Sequence, residues 1–271
     1  AENLDFLYQS TSYRAFFERY RNRRQVIYAG GNDGMLHAFN GGWFDAETKE
    51  FKGAHGSEPG STRNYDLGAE LWAYVPYNAL PHLEYLARPS YGATSADHLS
   101  FVDLKPRIFD AKIFADDTDH PGGWGTVLVV GMRLGGGETT VDADLGAPLD
   151  RRTLSSSYAI FDITNPDNAP ELLLEFTHPD LGFATSIPAP VTVGTDNEGN
   201  GDWYLMIGSG ADRDAAGFDT VVSTQNPRLF LLDLKDVAAG NTTVLESNFG
   251  TNGVYTLSES NAFVSDLVAV D

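Results

Sequence analysis

Short apolar runs recur along the chain in matched pairs, and each pair has the spacing of a β-hairpin. The first runs all end at a glycine and span residues 25–30, 126–131 and 203–208. The second runs all end at an asparagine or aspartate and span residues 36–40, 158–162 and 230–233. Runs of this length, rich in β-branched and aromatic residues and bounded by turn residues, predict strands. A hairpin that returns in order along a chain predicts a repeat architecture.

Further apolar runs enlarge the hairpins into units of up to four strands. A third run follows each pair, at residues 70–75, 171–176 and 242–246. A leading run precedes the second and third pairs, at residues 107–114 and 189–193. Four strands per unit is the blade of a β-propeller. We therefore predict an all-β fold, an incomplete β-propeller of four-stranded antiparallel blades with long loop insertions and one or two short helices.

The repeat divides the chain into two parts. Residues 1–24 are predicted to be an N-terminal lead-in with a short helix at residues 13–21, and a second short helix is expected near residues 81–87. Residues 25–271 are predicted to form a partial propeller of about three blades, with the first strand of the next at residues 263–271. Because propellers close with roughly 4–8 blades, we expect missing blades or another chain to cover the open edges.

Turn residues connect the predicted strands. Glycine and polar residues favour long loops at residues 41–68 and 135–156. The first hairpin turns at Asn32-Asp33-Gly34, three residue types that tolerate positive φ. The apolar residues that flank this turn are therefore expected in the sheet core.

Composition narrows the range of partners and compartments. The chain carries 18 Lys and Arg residues against 38 Asp and Glu residues, and this net charge of −20 disfavours nucleic acid as a partner. It contains no cysteine, so disulfides and thiolate chemistry are excluded within it. No apolar run approaches the ~20 residues of a membrane span. Because the sequence begins at Ala1 without methionine, we expect a mature fragment or an excised piece whose signal peptide was removed or lies upstream.

Residues that could carry catalysis do not assemble into a recognised pattern. The histidines lack metal-ligand spacing and stand at positions 37, 55, 82, 98, 120 and 178. His37 lies within a predicted strand, where a hydrogen-bonded structural role is favoured. Blades of this general kind also occur in quinone-dependent dehydrogenases, and Trp124 in Gly-Gly-Trp-Gly is similar to their Trp-Gly motif. Trp124 has no counterpart in the other repeats, so a packed aromatic side chain is favoured.

One turn has the beginning of a calcium-binding loop. Asp196, Glu198 and Asn200 place oxygen-bearing side chains at alternate positions, and Gly201 follows them. Tyr204 and Ile207 occupy the later loop positions where further oxygen ligands would be expected, and Asp202 could substitute only with altered geometry. The candidate metal ligands are therefore Asp196, Glu198, Asn200 and Asp202. An ordinary polar hairpin turn is the alternative, and residues 116–119 offer a weaker acidic candidate in the preceding unit.

An ordered set of motifs resembles the C-terminal propeller of the PilY family, which includes the PilC proteins. The matching residues are YAGGNDGMLHAF at 28–39, ELWAYVP at 70–76, FVD at 101–103, GMRLGGG at 131–137 and YAIFDITNP at 158–166. Proteins of this family are type IV pilus tip-associated adhesins and assembly factors.

The resemblance implies a non-enzymatic module, exported to the cell surface, that supports pilus biogenesis, resists retraction and contributes to adhesion. Its implied partners are minor pilins, the pilus tip complex, and a host or abiotic surface. The family's calcium loop would begin at or just beyond Asp271, so its ligands cannot be assigned here. Two alternatives stay open: a fragment of a quinone-dependent (PQQ-type) propeller dehydrogenase, and an envelope-assembly scaffold unrelated to pili.

Overall fold

Antiparallel strands form most of the regular structure. The computed structural model describes residues 11–53, 65–94, 98–142, 144, 150–212 and 223–269. The helices are α1 (Thr11–Tyr20), α2 (Leu83–Leu86) and α3 (Leu234–Ala238), with 3₁₀ turns at Tyr77–His82 and Pro121–Gly123. No helix in these ranges is long and apolar enough to cross a membrane.

Three sheets of four strands each account for most of the strands. The first sheet contains β1 (Gln25–Gly30), β2 (Leu36–Asp45), β3 (Glu50–Lys52) and β4 (Glu70–Tyr74). The middle sheet has the order β10-β9-β6-β5, from β5 (Arg107–Lys112), β6 (Trp124–Gly131), β9 (Tyr158–Asp162) and β10 (Glu171–Phe176). The last sheet has the order β11-β12-β13-β14, from β11 (Ala189–Val193), β12 (Asp202–Gly208), β13 (Arg228–Asp233) and β14 (Val254–Thr256). A separate ribbon pairs β7 (Thr139–Asp142) with β8 (Arg151–Leu154).

The repeated hairpins of the prediction are confirmed as β1–β2, β6–β9 and β12–β13, all antiparallel. The leading runs are confirmed as β5 and β11, and two of the three following runs as β4 and β10. The helix predicted at residues 13–21 is α1, and the one near residues 81–87 is a 3₁₀ turn that continues into α2.

Two predicted strands are wrong. Residues 242–246 form only a single bridge, Leu245 to Leu232, and β14 is the outer strand instead. The cause is local: Asp233 accepts hydrogen bonds from the backbone of Lys235 and Asp236 and starts α3, which diverts the chain from the sheet. Residues 263–269 form no strand. They make isolated hydrogen bonds instead, such as the one from the Val264 amide to the carbonyl of Ser209 at 2.8 Å, just after β12. The last two residues of that predicted strand lie outside the described part.

The two predicted long loops contain strands. Residues 41–45 continue β2 beyond Asn40 and pair with β3, and β7 and β8 form a ribbon inside residues 135–156. Other parts of both loops, residues 54–64, 143 and 145–149, lie outside the described residues. Period-two alternation is weak in these short strands, which explains why the pattern did not predict them.

The polar residue that ends each repeated second run of the sequence has the same local role. Asn40, Asp162 and Asp233 each accept a hydrogen bond from a backbone N–H two residues further on, at 3.0, 2.9 and 2.8 Å. Asparagine and aspartate side chains favour this turn because their oxygens reach that amide without strain. The repeated sequence signal therefore reflects a repeated turn.

The middle sheet packs between the other two. All eight residues of β6 are buried. Leu128 and Phe161 pack with Leu36 of the first sheet, whereas Val129 and Ile160 share a cluster with Leu205 of the last sheet. Trp124 is fully buried and makes edge contacts with Tyr13 at 4.8 Å and Trp203 at 5.6 Å, which confirms its predicted packing role.

The opening hairpin turns as predicted, but the prediction that its flanking apolar residues all lie in the core is wrong for β1. Leu36 and Ala38 of β2 are buried, whereas Ile27 is 60% exposed. Gly31 donates its amide to Met35 at 2.8 Å, and the carboxylate of Asp33 accepts the Met35 amide at 3.2 Å. Gly34 has a φ of +98°, whereas Asn32 and Asp33 stay at negative φ. The left-handed conformation at Gly34 is therefore the one that requires glycine.

Candidate functional site

The candidate calcium ligands lie in the turn between β11 and β12, as the sequence predicted. One carboxylate oxygen of Asp196 accepts the backbone amides of Glu198 and Asn200, each at 2.9 Å. Its other oxygen accepts the side-chain amide of Asn200 at 3.1 Å. These bonds, led by the one from the Asn200 side chain, lower the pKa of Asp196. Asp202 begins β12 and is exposed.

Lysine ammonium groups contact this turn from two neighbouring elements. Lys112, at the end of β5, donates to the carbonyl of Glu198 at 3.0 Å and to the side-chain oxygen of Asn200 at 2.8 Å. Lys235 of α3 donates to the carbonyl of Gly201 at 2.6 Å. One candidate ligand oxygen, that of the Asn200 side chain, is thus bonded to an ammonium group. Within the described ranges, no three His, Asp or Glu residues are grouped so that they could hold an ion. Calcium binding here stays a prediction.

One residue of the weaker acidic candidate, Asp117, contacts a histidine. His120 contacts Asp117 at 3.1 Å through Nδ1 and Asp162 at 2.9 Å through Nε2, and its ring stacks on Phe114 at 4.2 Å. Burial disfavours the charged ring, but the hydrogen bonds and negative charges of Asp162 and Asp117 outweigh it and raise the pKa of His120. This cluster ties the β5–β6 turn to the end of β9.

His37 has the same arrangement in the first sheet. Its Nδ1 lies 2.6 Å from Glu70 of β4, and its Nε2 lies 2.9 Å from Asp33 of the hairpin turn. The hydrogen bond to Glu70, followed by the contacts with Asp33, raises the pKa of His37. The predicted hydrogen-bonded role of His37 is therefore confirmed.

A cleft that sequence reasoning missed lies between the first and middle sheets. It has a volume of about 320 Å³ and is formed by α1, the segment that leads into β1, β1 itself and β5. The apolar part of its wall is formed by Phe16, Tyr20, Tyr28 and Ile108. Burial raises the pKa of the Tyr28 phenol to about 12.

Three arginines line the cleft, and two of them form ion pairs with acidic residues. Arg21 pairs with Glu18 at 3.1 Å, and the buried Arg24 pairs with Asp167 at 3.0 Å. Arg23 donates to the hydroxyl of Thr126 at 3.0 Å, and Asp110 accepts from the same hydroxyl at 2.7 Å. Burial raises the pKa of Asp110.

A sequence signal for the cleft existed. The arginines at positions 14, 19, 21, 23 and 24 fall within eleven residues that contain a single acidic residue, Glu18. Such a basic stretch in a chain of charge −20 indicates a local surface of opposite sign. Its apolar partners on β1 and β5 are more than eighty positions apart in sequence, so the pattern alone could not show the cleft.

Curated type IV pilus biogenesis factors are similar in sequence to this chain. A type IV pilus biogenesis factor PilY1 homolog of Xylella fastidiosa is 27% identical over 264 residues, which are 96% of this chain and 16% of that protein. The type IV pilus biogenesis factor PilY1 of Pseudomonas aeruginosa PAO1 is 28% identical over 217 residues, 78% of this chain and 14% of that protein. The predicted resemblance to the PilY family is confirmed.

Two limits accompany these similarities. The chain spans about a sixth or less of the length of these relatives. No family model matches the chain, and no solved structure matches it.

Proposed function

We propose that this chain is a non-catalytic structural and interaction module of a type IV pilus biogenesis protein. The observation that carries the proposal is the similarity to a PilY1 homolog over 96% of the chain. A match that continues through all three sheets is more specific than any single turn motif. The quinone-dependent dehydrogenase alternative is not favoured, because the similar proteins are named as pilus biogenesis factors.

The sheets act in this proposal as consecutive blades of an incomplete β-propeller. The support is internal: the middle and last sheets share one strand order, and the first sheet repeats the inner hairpin. Face-to-face packing places one buried cluster on each side of the middle sheet. Radial repetition of four-stranded sheets produces this kind of packing.

The module would work outside the cell, at or near the pilus tip. Its partners would be minor pilins or other components of the tip complex, and a host or abiotic surface. In that position it would support pilus assembly, resist retraction and contribute to adhesion, with calcium as a modulator of its shape. A strongly acidic, hydrated surface suits such exposure.

Deletion in the encoding bacterium tests the role. Residues 11–269 would be removed from the full-length protein, and surface pili would be sheared and quantified with and without the retraction motor. We expect few pili when the motor is present and recovery of pili when it is absent. An Arg151→Gln variant of the full-length protein, changed at an exposed site on β8, serves as control. Unchanged pili in the deletion strain would refute the proposed role.

A further inference from the structure

His37 is held between two carboxylates that come from different parts of the first sheet. Its Nδ1 lies 2.6 Å from Glu70 at the start of β4, and its Nε2 lies 2.9 Å from Asp33 in the turn between β1 and β2. A neutral imidazole carries only one N–H, whereas the imidazolium donates from both ring nitrogens. With an ionised carboxylate at each nitrogen, only the charged ring donates a hydrogen bond on both sides.

The surroundings of the His37 ring leave these two carboxylates as its charged partners. Its cross-strand neighbours, Ala29 on β1 and Ala73 on β4, are uncharged. Within the described chain, the charged groups that act on the ring are Glu70 and Asp33. The His37 side chain is 18% exposed, so it can exchange its proton with water while its contacts are screened less than those of a fully exposed pair.

The turn between β1 and β2 also holds the segment that leads to the middle sheet. The side-chain oxygen of Asn32 accepts the Phe101 amide at 3.1 Å, and the Gly31 carbonyl accepts the Val102 amide at 3.2 Å. Phe101 is buried and shares a cluster with Met132, which follows β6 of the middle sheet. The position of the turn therefore affects a buried contact between the first and middle sheets.

We propose that His37 is a pH-dependent latch on the turn between β1 and β2. The imidazolium ties this turn to β4 and keeps residues 101 and 102 bonded to it. The neutral ring donates to only one of the two carboxylates, so the turn opens locally and the segment that leads to the middle sheet loosens. This device goes beyond the proposed role in pilus biogenesis and does not depend on it.

The direction of the switch follows from the same contacts. The hydrogen bond to Glu70, followed by the hydrogen bond and charge of Asp33, outweighs burial and raises the pKa of His37 above its ordinary value of 6.5. A raised pKa in the folded state means that the stabilisation is complete below about pH 6.5 and is lost as the pH rises through the folded-state pKa. A mildly acidic medium therefore keeps the latch closed, and a mildly alkaline medium releases it.

Hydrogen exchange of the purified 271-residue chain tests the latch without pili. Protection factors, which account for the intrinsic pH dependence of exchange, are measured by NMR at the Phe101 and Val102 amides between about pH 5.5 and about pH 9. In the wild type we expect protection at both amides to fall roughly three- to tenfold over this range. The midpoint of the fall should coincide with the titration of the His37 ring signals. His37→Gln should remove the midpoint.

Two glutamates at equivalent positions provide a matched pair of variants. Glu70 begins β4 and Glu171 begins β10, and both are exposed. Glu70→Gln keeps an oxygen that can accept the bond from His37 but removes the charge, so the midpoint should move to lower pH by roughly 0.3–1 unit. Glu171→Gln should leave the midpoint unchanged. Because Glu70 is exposed, this pair also tests the latch if His37→Gln does not fold.

Three results would overturn the proposal. The first is protection at Phe101 and Val102 that does not change with pH in the wild type. The second is a fall in protection whose midpoint is the same in Glu70→Gln as in the wild type. The third is an equal fall at the amides of β13 in the last sheet, because pH would then act on the whole fold rather than on the turn.

Discussion

Glu175 on β10 holds Asn78 in the 3₁₀ turn that follows β4 through two hydrogen bonds to one carboxylate oxygen. The Asn78 backbone amide lies at 2.9 Å and its side-chain amide at 2.6 Å. The other oxygen accepts the Tyr77 amide at 2.8 Å and the Tyr74 hydroxyl at 3.0 Å. Ser157 adds a bond at 3.0 Å. One carboxylate thus fastens the first sheet to the middle sheet.

Replacement of this carboxylate should loosen the junction. In Glu175→Gln an amide N–H₂ replaces one acceptor oxygen and faces donors, so we expect the free energy of unfolding to fall by about 1–3 kcal/mol. Urea unfolding followed by tryptophan fluorescence measures this. Glu171→Gln, at an exposed position on the same strand, is the control and should stay within about 0.5 kcal/mol of the wild type. Equal stability of the two variants would show that the hydrogen bonds to Glu175 contribute no net stability.

The opening turn makes a second prediction about stability. Gly34 has a φ of +98°, and a Cβ there would lie 2.5 Å from the side chain of Leu83. Gly34→Val should therefore lower the free energy of unfolding by about 1–3 kcal/mol through strain and overlap. Thermal unfolding of the variant and the wild type measures this loss.

A substitution at Gly68 separates the cost of backbone strain from the cost of steric overlap. Gly68 also has positive φ, at +79°, but a Cβ there would meet nothing within 4 Å. Gly68→Ala should therefore show the conformational cost without the overlap, and its loss of stability should be smaller than that of Gly34→Val. If Gly34→Val were as stable as the wild type, the turn would not depend on a left-handed residue.

Local chemistry explains why much of the fold was predictable. Asp162 and Asp233 signal the ends of strands because each bonds to a backbone amide two residues away, and such signals are visible in sequence. The buried runs of β6 and β9 were equally clear, because both faces of the middle sheet are covered.

The features that the sequence did not predict depend on contacts between residues that are far apart in the chain. β14 is only three residues long, and it pairs with β13 in place of residues 242–246 because α3 diverts the chain there. The cleft depends on Tyr28 and Asp110, which come together only when two sheets pack. Three of the four candidate metal ligands lie in the turn and Asp202 begins β12, but the contacts of Lys112 with Glu198 and Asn200 could not be foreseen from loop spacing.

The His120 cluster predicts a pH dependence of stability. The pKa of His120 is raised above its ordinary value of 6.5 by Asp162 and Asp117, which outweigh burial. A raised pKa in the folded state stabilises the fold fully below about pH 6.5, and that contribution is lost as the pH rises through the folded-state pKa.

Substitution of His120 isolates its contribution to the free energy of unfolding. His120→Gln should lower the free energy of unfolding most at about pH 6 and less at about pH 9, where the wild-type ring is neutral as well. Because His37 has the same kind of carboxylate neighbours and also a raised pKa, the comparison uses the difference between wild type and variant at each pH. A difference that is constant across this range would mean that His120 acts only through packing on Phe114.

Calcium titration tests the turn between β11 and β12 and the part that Lys112 plays there. Because the ammonium group of Lys112 bonds to Glu198 and Asn200, a calcium ion would have to displace it. We expect Lys112→Met to bind Ca²⁺ several-fold more tightly than the wild type in isothermal titration, and Lys105→Met, an exposed lysine before β5, to leave binding unchanged. The double change Asp196→Ala and Asp202→Ala should abolish the heat in either background. If neither the wild type nor Lys112→Met gave saturable heat, the turn would be a polar hairpin closed by lysine, and calcium control of this module would have to act elsewhere.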